Sequence, residues 1–188
     1  MREFDSEHKR KSIRLKGYDY SKVGAYFVTI CTKDSELLEP KPVREMISRF
    51  WQKLGEKFPH IQLDEFVIMP NHIHGIIIVG ADPCVCPKTK GEHIGSPLRV
   101  PLGRIVQWFK TMTTNEYIKN VKRNGWHPFP QKFWQRNYYE HIIRNKCSLN
   151  YIREYIRYNP LKWELDKENP NRIGMDEFDE WLYKKGER

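Results

Sequence analysis

The chain has 188 residues, a formal net charge of +9, 39% hydrophobic residues and 30% charged residues. This composition excludes a disordered chain and leaves length for one domain with a real core. No apolar run approaches a membrane span, and the basic opening MREFDSEHKRKSIRLKGYDY lacks the apolar stretch of a secretory signal, so a cytoplasmic protein is expected.

The charge is uneven. From Glu164 onward there are 8 acids and 5 bases, which leaves 28 bases against 16 acids in residues 1–163. A body carrying +12 suits a polyanion such as nucleic acid. The four cysteines, Cys31, Cys84, Cys86 and Cys147, are too few and scattered for a disulfide framework. Cys84, Cys86 and His93 could form half a zinc site, but no second ligand pair follows at finger-like spacing, so reduced bystander thiols are expected.

Residues 1–22 form a basic arm. GAYFVTICT (24–32) is rich in β-branched and aromatic residues and reads as a strand. VREMISRFWQKLGEKF (43–58) has helical apolar spacing at Val43, Met46, Ile47, Phe50, Trp51 and Leu54, and Pro59 stops it. IQLDEFVIM (61–69) reads as a second strand, Pro70-Asn71 as a break, and HIHGIIIVG (72–80) as a third strand, buried on both faces in its later half. Residues 81–100 lack periodicity and hold three prolines and two glycines, which predicts a loop. LGRIVQWFKTMTTNEYIKNV (102–121) is an amphipathic helix, and FWQRNYYEHII (133–143) an aromatic strand or extended lead-in. SLNYIREYIRYN (148–159) is another helix, ended by Pro160, and MDEFDEWLYKK a possible short acidic helix. A tight turn makes strands two and three antiparallel. The expected fold is α+β, a ferredoxin-like or RRM-like, mainly antiparallel sheet with helices packed on it. The expected division is a basic arm (1–22), a main domain (23–163) and an acidic tail (164–188).

On a strand, residues i and i+2 share a face, so His72 and His74 aim two imidazoles at one spot. Two neutral imidazoles are half a site for a divalent transition metal, although a bare H-x-H is more often an ordinary hydrogen-bonded pair. On the helix ending at Pro160, Tyr151, Tyr155 and Asn159 lie on one stripe. A helix against the sheet would bring Tyr155 and Asn159 to the histidines together. The plainer alternative is that the tyrosines pack and Asn159 caps the helix.

MPNHIHGIIIV resembles the His-hydrophobic-His (HUH) motif of the single-tyrosine transposases, the insertion-sequence-200-like superfamily. SIRLKGYDYSKVGAYFVTICT resembles that family's opening segment and IVQWFK its middle helix. FWQRNYYEHIIRN with YIREYIRYNP resembles its C-terminal signature, closest to the REP-associated tyrosine transposases. The likeness runs from about Ser12 to Trp163 through four segments in order. The resemblance makes His72, His74 and Asn159 the metal ligands and Tyr155 the nucleophile. Many insertion-sequence-200-type members have glutamine where Asn159 stands, and asparagine fits the REP-associated branch.

The resemblance implies a metal-dependent DNA transposase and single-strand endonuclease. It would cleave and rejoin single-stranded DNA, often beside a hairpin, through a 5′-phosphotyrosine link that conserves the phosphodiester. The cofactor would be Mg²⁺ or Mn²⁺, since a phenol with an ordinary pKa of about 10 is a poor nucleophile unaided. Lys9, Arg10, Lys11, Arg14 and Lys16 could grip phosphates, and Lys110 could reach the scissile region. Aromatic residues from Trp134 to Tyr139, with Arg136 between, could stack unpaired bases, although core packing is favoured for Phe133 and Trp134. Tyr138, Tyr139, Tyr151 and Tyr158 are rival nucleophiles, with Tyr151 second to Tyr155. A non-catalytic, domesticated DNA-binding protein and a metal-dependent hydrolase without a covalent step are the alternatives. The assembly would be a monomer or a homodimer, with the monomer favoured.

Overall fold

The computed structural model describes residues 18–20, 22–34, 37–80 and 100–184. The basic-arm candidates Lys9, Arg10, Lys11, Arg14 and Lys16 lie outside the described residues, as do Cys84, Cys86 and His93.

Four strands, β1 (Gly24–Cys31), β2 (Ile61–Ile68), β3 (His72–Val79) and β4 (Tyr139–Ile143), form one sheet in the order β2-β3-β1-β4. Every neighbouring pair is antiparallel. The helices are α1 (Lys41–Lys57), α2 (Leu102–Asn124), α3 (Lys146–Tyr158) and α4 (Glu177–Lys184), and a 3₁₀ segment, Asn159–Leu165, follows α3 directly. This is the expected α+β, ferredoxin-like layout, with α3 and α4 added after it.

The period of two in the strands sorts their side chains between two cores. Tyr26, Val28, Ile30, Ile73 and Ile77 face α1 and α2. Phe27 and Ile76 face the other way, toward Ile152, Tyr155 and Ile156 of α3 and Phe178 of α4. Gly75 makes the first core possible. A Cβ there would lie 2.5 Å from Trp51 Cη2, so only glycine lets the indole reach β3, where it stacks on Phe66 with ring centroids 4.4 Å apart.

β2 carries a bulge. Leu63 pairs with Ile77 and Phe66 with Gly75, so Asp64 and Glu65 together oppose Ile76. A bulge breaks the in-out alternation, and both carboxylates meet α3: Asp64 takes the Arg153 guanidinium at 2.5–3.2 Å and Glu65 takes Arg157. Arginines four apart share one flank of the helix, so α3 is held along β2 in a fixed register.

The strand expected over 133–143 is shorter. Only residues 139–143 pair as a strand, and Trp134 makes an isolated bridge to Thr32. Phe133, Trp134 and Tyr138 are buried in the α1/α2 core. The aromatic residues suggestive of strand propensity therefore anchor a loop. Gln131 enters that loop with φ 61°.

Candidate metal and tyrosine centre

At the start of β3 the two imidazoles converge as the spacing predicts, with His72 Nε2 2.9 Å from His74 Nε2. Both rings are buried. Their outer nitrogens are held in place. His74 Nδ1 is 2.9 Å from Thr29 Oγ1 on β1. His72 Nδ1 is 2.8 Å from Asn71 Oδ1, and the Asn71 amide donates through Nδ2 to the Glu168 carbonyl at 2.6 Å. That second bond fixes the amide, so Asn71 Oδ1 accepts and His72 Nδ1 carries the hydrogen. The lone pair of His72 Nε2 therefore faces His74. Burial, then the neighbouring His74, pulls the His72 pKa well below its ordinary value, which keeps that lone pair available.

α3 supplies the remaining expected partners. Its N-cap, Asn145, accepts from the Ser148 backbone N–H at 2.8 Å. Its apolar stripe then lays Ile152, Tyr155 and Ile156 on the sheet. Tyr155 Oη lies 3.3 Å from His74 Nε2, and the two ring centroids are 5.3 Å apart. Asn159 ends the helix, donating its backbone N–H to the Tyr155 carbonyl, and its side chain is buried in the same cluster. It thus both caps the helix and belongs to the site. The rival tyrosines are elsewhere: Tyr151 packs on Phe178 and Trp181, Tyr138 is in the opposite core, and Tyr139 and Tyr158 are exposed.

Asp166 is the residue that sequence reading did not find. Just beyond the 3₁₀ segment, its Oδ2 lies 3.7 Å from His72 Nε2 and 3.6 Å from His74 Nε2. It accepts from Asn159 Nδ2 at 2.8 Å and from Tyr155 Oη at 3.3 Å, while Oδ1 accepts from the Glu168 backbone N–H at 2.7 Å. Burial opposes the charge on this carboxyl, yet the hydrogen bonds and the imidazoles hold it below the ordinary carboxylate range. His72, His74 and Asp166 form a buried group able to hold a metal ion. Asn159 Oδ1 is buried without a hydrogen-bond partner beside them.

The other site face is aromatic. Phe178 of α4 stacks on the Tyr155 ring at 3.7 Å, and Phe27 contacts His74 and Tyr155 edge-on or tilted. Tyr155 is only 9% exposed. Burial, then the charges of Asp166 and Asp179, raises its phenol pKa well above the usual value.

The two described DNA-contact candidates lie apart from this cluster. Lys110 donates to three successive carbonyls, those of Gln135, Arg136 and Asn137, at 2.5, 3.3 and 3.1 Å. Arg136 is exposed on that loop.

No family model matches the chain. A Haemophilus influenzae protein of uncharacterized function is 36% identical over 174 residues, covering 85% of this chain and 93% of that protein. A second Haemophilus influenzae protein, described provisionally as a REP-associated tyrosine transposase, is 25% identical over 77% of this chain and 74% of its own. In sequence the chain is thus similar to a protein of the REP-associated tyrosine transposase kind. A solved structure of a REP-associated tyrosine transposase bound to a REP hairpin shares the fold, with a TM-score of 0.55, 20% identity, and coverage of 80% of this chain and 73% of that one. Among the described residues no helix is long and apolar enough to cross a membrane.

Proposed function

We propose that this chain cleaves and rejoins single-stranded DNA, often beside a hairpin, through a covalent bond between Tyr155 and a 5′-phosphate. One observation carries the reading. Tyr155 Oη lies 3.3 Å from both His74 Nε2 and Asp166 Oδ2, so nucleophile, imidazole pair and carboxylate meet at one point. DNA binding alone requires no such convergence.

The residues fit a divalent cation. The lone pair of His72 Nε2, His74 Nε2 and the Asp166 carboxylate crowd one another in a buried space. Facing acceptors repel unless a proton or cation lies between them. Asn159 adds a fourth donor, because a half-turn of its amide would exchange Nδ2 for the unpartnered Oδ1. Imidazole with carboxylate and amide oxygens accepts Mn²⁺ or Mg²⁺. When bound, the ion would polarise the scissile phosphate and favour the phenolate.

The chain's own groups account for the rest. Tyr155 Oη attacks phosphorus, its P–O bond forms, and the bond from phosphorus to the 3′-oxygen breaks. The phenol is protonated at neutral pH, so its proton must leave during attack, and the Asp166 carboxylate, which already accepts from Tyr155 Oη at 3.3 Å and has lone pairs beyond the one given to a cation, is the acceptor in reach. The leaving 3′-oxygen gains a proton and becomes a free hydroxyl. A different 3′-hydroxyl can later attack the phosphotyrosine, restoring the phosphodiester and the phenol. No external energy source is consumed.

The test uses labelled single-stranded DNA with a flanking hairpin, Mn²⁺ or Mg²⁺, and a denaturing gel. Wild type should give a protein–DNA adduct, and Tyr155→Phe should reduce its formation by about three orders of magnitude or more. Cleavage persisting in Tyr155→Phe would establish a water-activating hydrolase instead. Binding without cleavage by wild type would establish a binding protein.

A further inference from the structure

A groove of about 650 Å³ runs between α2 and residues 131–138, on a part of the molecule the catalytic cluster does not use. Its lining includes Lys110, Lys132 and Arg136, with the carboxamides of Gln107, Asn115 and Asn137. None of the described lining residues is acidic, although the chain has 24 acids. Cations and amides without carboxylates suit a nucleic-acid strand, which offers phosphates to the first and base edges to the second.

The groove wall is built for presentation. Lys110 gathers the carbonyls of residues 135–137, which turns the exposed Arg136 and Asn137 side chains outward. Gln131 holds a left-handed backbone, φ 61°, and its side chain accepts from Lys33 Nζ at 3.2 Å. A non-glycine residue there costs on the order of 1 kcal/mol and persists only where its surroundings impose it. From Tyr138 the wall continues into Tyr139, 50% exposed, with Lys167 Nζ 5.3 Å from its ring centroid. Lys167 is the neighbour of Asp166. A basic, aromatic path thus joins groove and site.

We propose that this groove seats a DNA strand leading to the catalytic cluster, with Arg136 and Lys132 on its phosphates and Lys110 shaping the wall without touching DNA. The assignment rests on the DNA-processing reading above, and Lys110 is a positioning residue in it.

The test measures binding of labelled single-stranded and hairpin-flanked DNA by full-length Tyr155→Phe protein, from about 50 to 300 mM salt. Arg136→Ala and Lys132→Ala should each weaken binding roughly 3–10-fold and flatten the slope of log affinity against log salt by about 0.7, the loss of one phosphate contact. Lys110→Met should weaken binding with the slope unchanged, and Lys110→Arg should restore it. Lys57→Ala, at the exposed C-terminal end of α1 and outside the groove lining, should change nothing. Cross-linking of 4-thiothymidine DNA should map to the 131–138 peptide. Parental affinity in both Arg136→Ala and Lys132→Ala, or cross-links confined elsewhere, would overturn the groove, and a flattened slope in Lys110→Met would overturn its positioning role. Failure of wild type to form the tyrosine adduct would leave these binding results standing, so the two readings fail separately.

Discussion

The two faces of β3 were made for different ends. Toward α1 and α2 it presents Ile73, Gly75 and Ile77, a surface that only packs. Toward α3 it presents His72, His74 and then Ile76, so that polar groups displace core at one end of the strand. One strand therefore carries a stability face and a reactive face, separated by a single-residue step. The polar face is tolerated because each imidazole nitrogen on it has a partner in Thr29, Asn71, Tyr155 or the other imidazole; beside them the amide oxygen of Asn159 has none.

Substitutions should separate the two faces. The largest effect is expected on the reactive side: His72→Ala or His74→Ala should lower Mn²⁺ affinity by at least about 100-fold, read by calorimetry, with the fold retained. On the packing side, Gly75→Ala should cost about 1–3 kcal/mol through the clash with Trp51. That lowers the melting temperature by about 2–4 °C per kcal/mol, while the protein that remains folded still forms the adduct. An unchanged melting temperature would show that Trp51 yields freely.

Acid should distinguish the faces more gently. The His72 pKa is depressed in the folded chain, so the unfolded chain takes up that proton first as pH falls below about 6.5. Metal-free protein should lose up to about 1.4 kcal/mol per pH unit until pH passes below the folded value, then level off. Denaturant titrations in chelator at several pH values should show this slope in wild type and its loss in His72→Gln. The smallest effect is expected at the helix flank: Arg157→Ala removes one exposed ion pair to Glu65 and should move the melting temperature by no more than about 2 °C.

The residues legible in the sequence were those on a regular period. His72 and His74 follow from the period of two; the spacing of four puts Tyr151, Tyr155 and Asn159 on one stripe, from which the resemblance picks Tyr155. Asp166 follows neither. It lies past Pro160, directly after a 3₁₀ segment of seven residues, among other acids of an acidic stretch. No local pattern distinguishes it from Glu164 or Glu168. The short acidic helix was legible as α4, but not the placement of Phe178 on Tyr155, because tertiary contact alone decides which aromatic meets the phenol. The hydrogen bonds of Lys110 were hidden for a similar reason: a lysine on a helix looks free until the loop whose carbonyls it binds is in place.

The bulge at Asp64 and Glu65 ties α3 to the sheet of its own chain, and through α3 it ties Tyr155 to His74. In the reaction proposed above, the Tyr155 hydroxyl would then come from the same chain as the imidazoles, at an effective concentration set by covalent connection. Dilution cannot take it away, and the rate of strand cutting per molecule on saturating DNA should be the same at nanomolar and micromolar protein.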